Sequence, residues 1–323
     1  MSPKRQTHHI VVSDRAGLPY SKGLMASSIM ATGLAPFRAY EVAERIEEKL
    51  LSTERYEVTR EELQGLARET ILAMVGQRYA DTYSNWQAVE ELDLPFIILI
   101  GGTTGVGKST IATQLAARLG ITRIISTDAV REVMRSMFSE RIMPALHTSS
   151  FEAHTAIRGP IPRSADPVIV GFEQQVRAVA VAIEALIERS VLEGTDLIIE
   201  GAHLVPGFVE SPDWSPPWED KAVVVRMLIT VDDEDVHRSH FFLRAMESGQ
   251  RNAERYLAHF DNIRKVQKYM RNAAEQRRVP IIPSYSLDAT LASVIDHVVE
   301  QAVKRIGEPI RDKTRKETTK ELL

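Results

Sequence analysis

The chain has 323 residues, 44% of them hydrophobic and 26% charged, a composition that suits a soluble globular protein of more than one domain. Its net charge of −4 argues against a surface built as a whole to grip nucleic acid. Cysteine is absent, which excludes disulfides, thiolate metal sites and cysteine nucleophiles. No apolar run approaches the ~20 residues of a membrane helix, and residues 1–10 lack the apolar core of a secretory leader, so the expected location is cytoplasmic.

Residues 1–92 read as a small, mainly helical unit. Ile10-Val11-Val12 is a short strand candidate, followed by the turn Ser13-Asp14-Arg15-Ala16-Gly17-Leu18-Pro19. Helices are expected over 21–32, over 36–51 with Pro36 in the first turn, and over 59–75. Thr59-Arg60-Glu61-Glu62 opens the third as a capping box. Val42, Ile46 and Leu50 form the stripe of the second helix, and Leu63, Leu66, Ile71 and Val75 that of the third. A further helix and linker fill 79–92. The strand, the turn, Pro19-Tyr20-Ser21-Lys22 and the capping box together resemble the ATP-cone, a helical nucleotide-binding module. That resemblance implies adenine-nucleotide binding with Lys22 at a phosphate. A docking domain with a solvated Lys22 is the alternative.

Residues 93–310 alternate strand and helix patterns, the signature of a parallel sheet with helices on its faces. Phe96-Ile97-Ile98-Leu99-Ile100 is an apolar burst of strand length. Gly102-Thr103-Thr104-Gly105-Val106-Gly107-Lys108-Ser109 follows and fits the phosphate-loop (Walker A) pattern G-x-x-x-x-G-K-[ST]. Ile111, Leu115 and Leu119 then recur on one helix face. Glycine lets successive N–H groups turn inward around a triphosphate. The helix that starts here, with Thr110 in its first turn, points its positive end at the same phosphates. Lys108 suits the β/γ-phosphates of ATP, and Ser109 suits Mg²⁺. Further strands are expected over 123–127, 197–201, 222–231 and 279–283, with helices over 176–191 and 291–303. The fold class is therefore α/β, a P-loop NTPase three-layer fold with a mostly parallel sheet, preceded by the small helical domain. Residues 311–323 form a charged tail.

Asp128 follows the second strand in Ser126-Thr127-Asp128-Ala129-Val130-Arg131. Ligands of open parallel sheets lie at the carboxyl ends of strands, so Asp128 suits a base for an acceptor hydroxyl or a group that orients Mg²⁺. The alternative is an N-cap for a helix over 129–138. Arg131 and Arg135 share a helix face and suit an anionic acceptor, or pairing with Glu132. Glu200 ends the third strand at the Walker B place and joins Ser109 as a metal-holding candidate. Asp196 reads as a turn residue. His203 is either an acceptor contact or structural.

Residues 139–172 contain Pro144, Pro160, Pro162 and Pro167 and read as a substrate insertion. His147, Arg158 and Arg163 are its candidate acceptor contacts. Residues 237–278 carry ten basic residues against four acidic ones. Arg244, Arg251 and Arg255 fall at helical offsets, and Ser248-Gly249 is placed to break the tract into a hinged lid. Arg244 and Arg251 are candidates for stabilising a transferring phosphoryl group. The alternatives are a solvated basic helix pair and a nucleic-acid surface; against the latter, the aromatics of the tract sit at core spacings. Pro283-Ser284-Tyr285-Ser286 lies, by fold analogy, near an adenine.

The run over 101–135, Leu146-His147-Thr148-Ser149-Ser150-Phe151, and Ile199-Glu200-Gly201-Ala202-His203-Leu204-Val205-Pro206 resemble the 2-phosphoglycerate kinases. So does Arg255-Tyr256-Leu257 with Phe260, Ile263-Arg264 and Gln267. The resemblance covers nearly the whole chain. It implies ATP-dependent phosphorylation of 2-phosphoglycerate at its 3-hydroxyl to give 2,3-bisphosphoglycerate. The implied partner is a small molecule, with neither nucleic acid nor membrane. The implied domains are 1–92, a kinase domain over 93–310 with the insertion (139–172) and the lid (237–278), and the tail 311–323. A kinase for another small acceptor and a non-catalytic nucleotide-sensing regulator are the alternatives. The oligomeric state stays open.

Overall fold

The computed structural model describes residues 11–12, 18–53, 57–90, 94–208, 219–248 and 253–306. Near the N-terminus β1 (Val11–Val12) pairs antiparallel with β2 (Leu18–Pro19) and parallel with β3 (Glu57–Val58). Two-residue strands have no periodicity to read, so β2 and β3 were not expected. Helices α1 (Lys22–Met30), α2 (Pro36–Ser52), α3 (Arg60–Val75) and α4 (Gln77–Glu90) follow. The capping box closes reciprocally: Glu62 N–H donates to Thr59 Oγ1 at 3.2 Å, and Thr59 N–H to the Glu62 carboxylate at 3.1 Å. The stripe of α2 packs Val42, Ile46 and Leu50 with Ile29, Ile71 and Tyr83. Most of the turn expected at 13–19, and all of the tail expected at 311–323, lie outside the described residues.

The second sheet holds β4 (Phe96–Gly101), β5 (Ile124–Ser126), β6 (Leu197–Gly201), β7 (Val223–Thr230) and β8 (Ile281–Pro283). Its order is β5-β6-β4-β7-β8 and every pairing is parallel. All six residues of β4 are buried, as an apolar strand covered on both faces requires. On one face α5 (Lys108–Leu119) and α11 (Leu287–Ile306) join Ile98, Ile100, Val225 and Ile229 in one core. On the other, α6 (Thr127–Met137) and α7 (Pro167–Leu192) cover Ile97, Leu99 and Ile199. Helices α8 (Glu234–Ser248), α9 (Ala253–Ala258) and α10 (Phe260–Arg277) lie between β7 and β8 in sequence. The result is an α/β three-layer fold. The chain leaves β4 toward β5 and β6 on one side and β7 and β8 on the other, and such a switch opens a crevice at the carboxyl end of β4.

Several expected boundaries move. The long helix starts at Pro167, not near 176, so residues 167–172 of the expected insertion are helical. Pro167 occupies the first turn, and Asp166 caps it by accepting from Val168 N at 2.8 Å. Thr127 belongs to α6 rather than to the preceding strand.

The N-terminal unit is joined to the sheet. Trp86 stacks on Phe96 with ring centroids 5.6 Å apart. Trp86, Val89 and Ala31 also enter the core under β4 and α5, and Arg78 pairs with Asp296 of α11 at 2.5 Å.

Candidate active site

The phosphate loop spans the end of β4 to the start of α5. Gly102, Gly105 and Gly107 hold φ of 148°, 89° and 86°, where an L side chain is strained. Space excludes a side chain as well. A Cβ on Gly102 would lie 2.6 Å from Ile229 O, and one on Gly105 would lie 2.5 Å from the Phe241 ring. Thr103 and Val106 are buried, while Thr104 is half-buried. Gly107 is the left-handed N-cap of α5 and offers no side chain to its first N–H groups, leaving them to face an anion. Lys108 is buried and donates from Nζ to Thr103 O at 2.8 Å. Ser109 and Thr110 are exposed in the first turn. Ser109 Oγ donates to Glu200 Oε1 at 2.8 Å. Register explains that contact: Glu200 lies beside Ile100 on one side and beside Ser126 on the other. Asp196, at the other end of β6, accepts from Phe96 N at 2.8 Å and aligns the starts of the two strands.

The outward carbonyls of the loop are held by α8. His237 Nε2 lies 2.8 Å from Thr104 O, and His240 Nδ1 lies 2.8 Å from Gly105 O. A carbonyl only accepts, so each of those nitrogens carries hydrogen. Burial pushes the His237 pKa down to about 4, keeping its ring neutral. Arg264 bonds Val231 O at 2.6 Å and Asp232 O at 2.8 Å, fixing the chain between β7 and α8. Ser284, after β8, comes close to Gly107.

Asp128 stands at the carboxyl end of β5, one strand beyond Glu200. Its side chain is 69% exposed. The N-cap alternative is corrected here: Ser126 caps α6, its Oγ accepting from Asp128 N at 3.2 Å. Asp128 therefore sits in the first turn with its carboxylate uncommitted to capping. Arg131 Nε lies 3.7 Å from Asp128 Oδ1, and the same guanidinium donates to Leu146 O at 2.7 Å.

His203 is a correction. It was a candidate acceptor contact, but it is fully buried with both ring nitrogens engaged. Thr127 Oγ1 lies 2.8 Å from Nδ1, and Gln175 Oε1 lies 3.1 Å from Nε2. The tautomer follows from the amide. Gln175 Nε2 donates to Ala145 O at 2.5 Å and Thr148 O at 3.0 Å, so its Oε1 accepts and His203 Nε2 donates. Burial pushes the His203 pKa well down, and the charges of Asp128, Arg131 and Lys108 all reach it. His203 is thus a strut joining β6, α6 and α7 behind the site. Gly201 is required beside it, since any side chain there would overlap Thr127.

The cations expected to meet the acceptor are mostly engaged by the chain itself. Arg158 donates to Arg141 O at 2.6 Å and Glu140 O at 3.0 Å. His147 Nε2 lies 2.9 Å from Phe138 O, and Arg135 pairs with Glu132. Arg163 is exposed. From the tract expected to form a lid, Arg255 bonds Ser149 Oγ at 3.0 Å and pairs with Glu152. Phe151 of the insertion packs with Phe241, Phe260 and Ile263. Helix α8 is described as far as Ser248, so the break expected at Ser248-Gly249 lies at the edge of the described residues. Arg251 and the side chain of Arg244 lie outside the described residues. In the N-terminal unit, Lys22 pairs with Glu47 at 3.1 Å and Glu44 at 3.6 Å, two carboxylates that a phosphate would have to displace.

His237, His240, Thr127 and Gln175 were not anticipated. The one sign available for the two histidines was their i,i+3 spacing on an expected helix; Thr127 and Gln175 are set by contacts remote in sequence.

No protein-family model matches the chain. Among solved structures, a gluconokinase from Sinorhizobium meliloti 1021 is 15% identical and covers 65% of this chain and 93% of its own, with a TM-score of 0.35. Curated relatives are far more similar. The 2-phosphoglycerate kinase of Pyrococcus furiosus is 38% identical over 298 residues, 91% of this chain and 95% of its own. That of Methanothermobacter thermautotrophicus is 37% identical over 297 residues, 92% and 95%. That of Methanopyrus kandleri is 35% identical over 288 residues, 89% and 86%. With such identity along nearly its whole length, and a phosphate loop at the switch point of a parallel sheet, this chain is a phosphotransferase that belongs to the 2-phosphoglycerate kinase family.

Proposed function

We propose that the protein transfers the γ-phosphoryl group of ATP to the 3-hydroxyl of 2-phosphoglycerate, giving ADP and 2,3-bisphosphoglycerate. The observation that carries the reading is the Ser109–Glu200 pair at 2.8 Å, an oxygen-donor pair joined to the phosphate loop. The pair fits Mg²⁺, which prefers oxygen ligands and keeps several waters and phosphate oxygens. Mg²⁺ there would neutralise charge on the β- and γ-oxygens.

The loop amides of 102–110 and Lys108 hold the β/γ-phosphates. Asp128 takes the proton of the acceptor hydroxyl as its oxygen bonds the γ-phosphorus; the bond to the bridging oxygen breaks and its electron pair leaves with ADP. Arg131 and the exposed Arg163 remain the acceptor candidates, Arg135 pairs with Glu132 within α6, and His147 and Arg158 hold the insertion in shape. Arg244 and Arg251 are assigned to the transferring charge. We further propose residues 1–92 as the nucleotide-binding module, 93–310 as the kinase domain and 311–323 as a tail. A cavity of about 320 Å³ between this module and the end of α5, lined by Tyr20, Gln64, Trp86 and Arg118, supports that module's role. No helix among the described residues is long and apolar enough to cross a membrane. An enzyme drawing on ATP is expected in the cytoplasm.

Turnover of ATP against a panel of phosphorylated hydroxy acids, with product identified by phosphorus NMR, tests the reading. 2-Phosphoglycerate is the expected acceptor. Turnover with a different acceptor alone would replace the substrate, and nucleotide binding without any acceptor turnover would replace the enzyme by a sensor.

A further inference from the structure

A phosphate loop that turns its N–H groups toward a triphosphate must turn carbonyls the other way, and those carbonyls need partners when buried. Here the partners are imidazoles. Helix α8 lays His237 against Thr104 O and His240 against Gly105 O, each at 2.8 Å. Phe241 of the same helix presses on Gly105, close enough that no side chain fits there. His237 stacks on Phe241 with centroids 5.4 Å apart, and its Nδ1 lies 3.4 Å from the Arg264 guanidinium. Two consecutive carbonyls of the loop are therefore fixed from outside by one helix face.

That helix is also fastened to the insertion. Phe241 stacks on Tyr256 at 5.1 Å and meets Phe260 edge-on at 6.4 Å. Phe151 of the insertion packs into the same cluster, meeting Tyr256 at 5.9 Å. Asn262 Nδ2 holds Phe151 O at 3.2 Å. A continuous set of contacts thus runs from the loop carbonyls through α8 to the insertion.

Resting on the reading of this site as an ATP site, we propose that His237 and His240 are positioning residues of the phosphate loop. They fix its carbonyls, so that its amides point at the triphosphate, and α8 links that geometry to the insertion through Phe151. Neither histidine needs to touch nucleotide. The contribution is orientation, to which transfer rates respond steeply.

The test is calorimetric binding of a non-hydrolysable ATP analogue with Mg²⁺, together with kcat/KM for ATP. His240→Ala, at a half-buried position, weakens analogue binding about tenfold, the loss expected for one well-placed hydrogen bond. His240→Asn keeps a donor near the Nδ1 position and restores binding to within about threefold. His237→Gln, which keeps a donor near Nε2, binds better than His237→Leu. Phe151→Leu, distant from the loop, weakens analogue binding by a smaller but measurable factor. Equal binding by His240→Ala and His240→Asn would overturn the proposal, because imidazole volume rather than its N–H would then be at work. Unchanged binding in Phe151→Leu would overturn the link to the insertion. Because analogue binding needs no acceptor, a failure of 2-phosphoglycerate turnover would show up separately and leave these comparisons intact.

Discussion

The donor and acceptor sides of the crevice are built in opposite ways. On the proposed donor side the groups offered to a ligand are backbone amides and a lysine, shaped by three glycines with positive φ and held from behind by a buried and a half-buried histidine. On the acceptor side most of the cations that seemed available for an anion bond the protein's own carbonyls and carboxylates. The triphosphate is met by a cradle whose shape is set by steric necessity. In the proposed function the acceptor meets a loop that must first be held together, and His147 and Arg158 do the holding.

The comparison breaks most easily at Asp128, the exposed carboxylate of the acceptor side. Asp128→Asn is expected to lower kcat by about 10²–10⁴-fold, the usual contribution of a general base. Binding of a non-hydrolysable ATP analogue should not change, since Asp128 lies a strand beyond Glu200. Single-turnover kinetics and calorimetry on the same variant separate the two quantities. If turnover survived, the acceptor side would have no base at this position and Asp128 would be a surface residue of α6.

The two sides also differed in how much their sequence disclosed. Gly102 to Ser109 was legible because the requirement is local: strand, glycine turn and helix are contiguous, and only a few residue types satisfy them. Glu200 was legible because it ends an apolar strand. Asp128 was placed at its strand end, though its capping role belongs to Ser126, one of two adjacent hydroxyls that the sequence does not separate. The contacts that His203 and Arg158 make were illegible for one shared reason. Each is a polar residue near the site whose partners, Gln175 and Thr127 or the carbonyls of Arg141 and Glu140, lie 17 to 76 positions away in sequence. Polar residues show no periodicity that reveals whether they face ligand or backbone. The histidines of α8 were missed likewise, their partners lying 133 and 135 positions back.

A second test sharpens the donor side through pH. The His237 ring has its pKa pushed down to about 4 in the fold, whereas in the unfolded chain it takes a proton near 6.5. The unfolded state thus binds more protons below 6.5, and stability falls as pH drops from about 6.5 toward 4. At pH 5 the loss from this residue is on the order of 2 kcal/mol. His203 acts in the same direction. Urea midpoints at pH 7.5 and pH 5 measure the effect, and His237→Gln should flatten part of the dependence. An equal slope in that variant would show that the donor-side imidazole is not kept neutral by burial.

Arg158 provides the smallest effect and the most direct test of the acceptor side. Both of its terminal nitrogens bond carbonyls of the insertion, those of Arg141 and Glu140, but the side chain is exposed and screened. Arg158→Ala should therefore cost only about 1 kcal/mol of stability, a modest fraction of the usual worth of two hydrogen bonds. Arg158→Lys should lose most of it too, since a single ammonium does not reproduce the planar fork across two carbonyls. If Arg158 is a loop pin, the acceptor KM rises less than about threefold and the melting temperature falls slightly, because a tethered loop still samples its working shape. If it is an acceptor ligand, the KM rises well over tenfold with the melting temperature unchanged, since a lost charge-assisted contact to an anion weakens binding and not folding. A small rise in KM with a lowered melting temperature and a large rise with an unchanged one are distinct outcomes, so one variant decides whether this arginine serves the loop or the ligand.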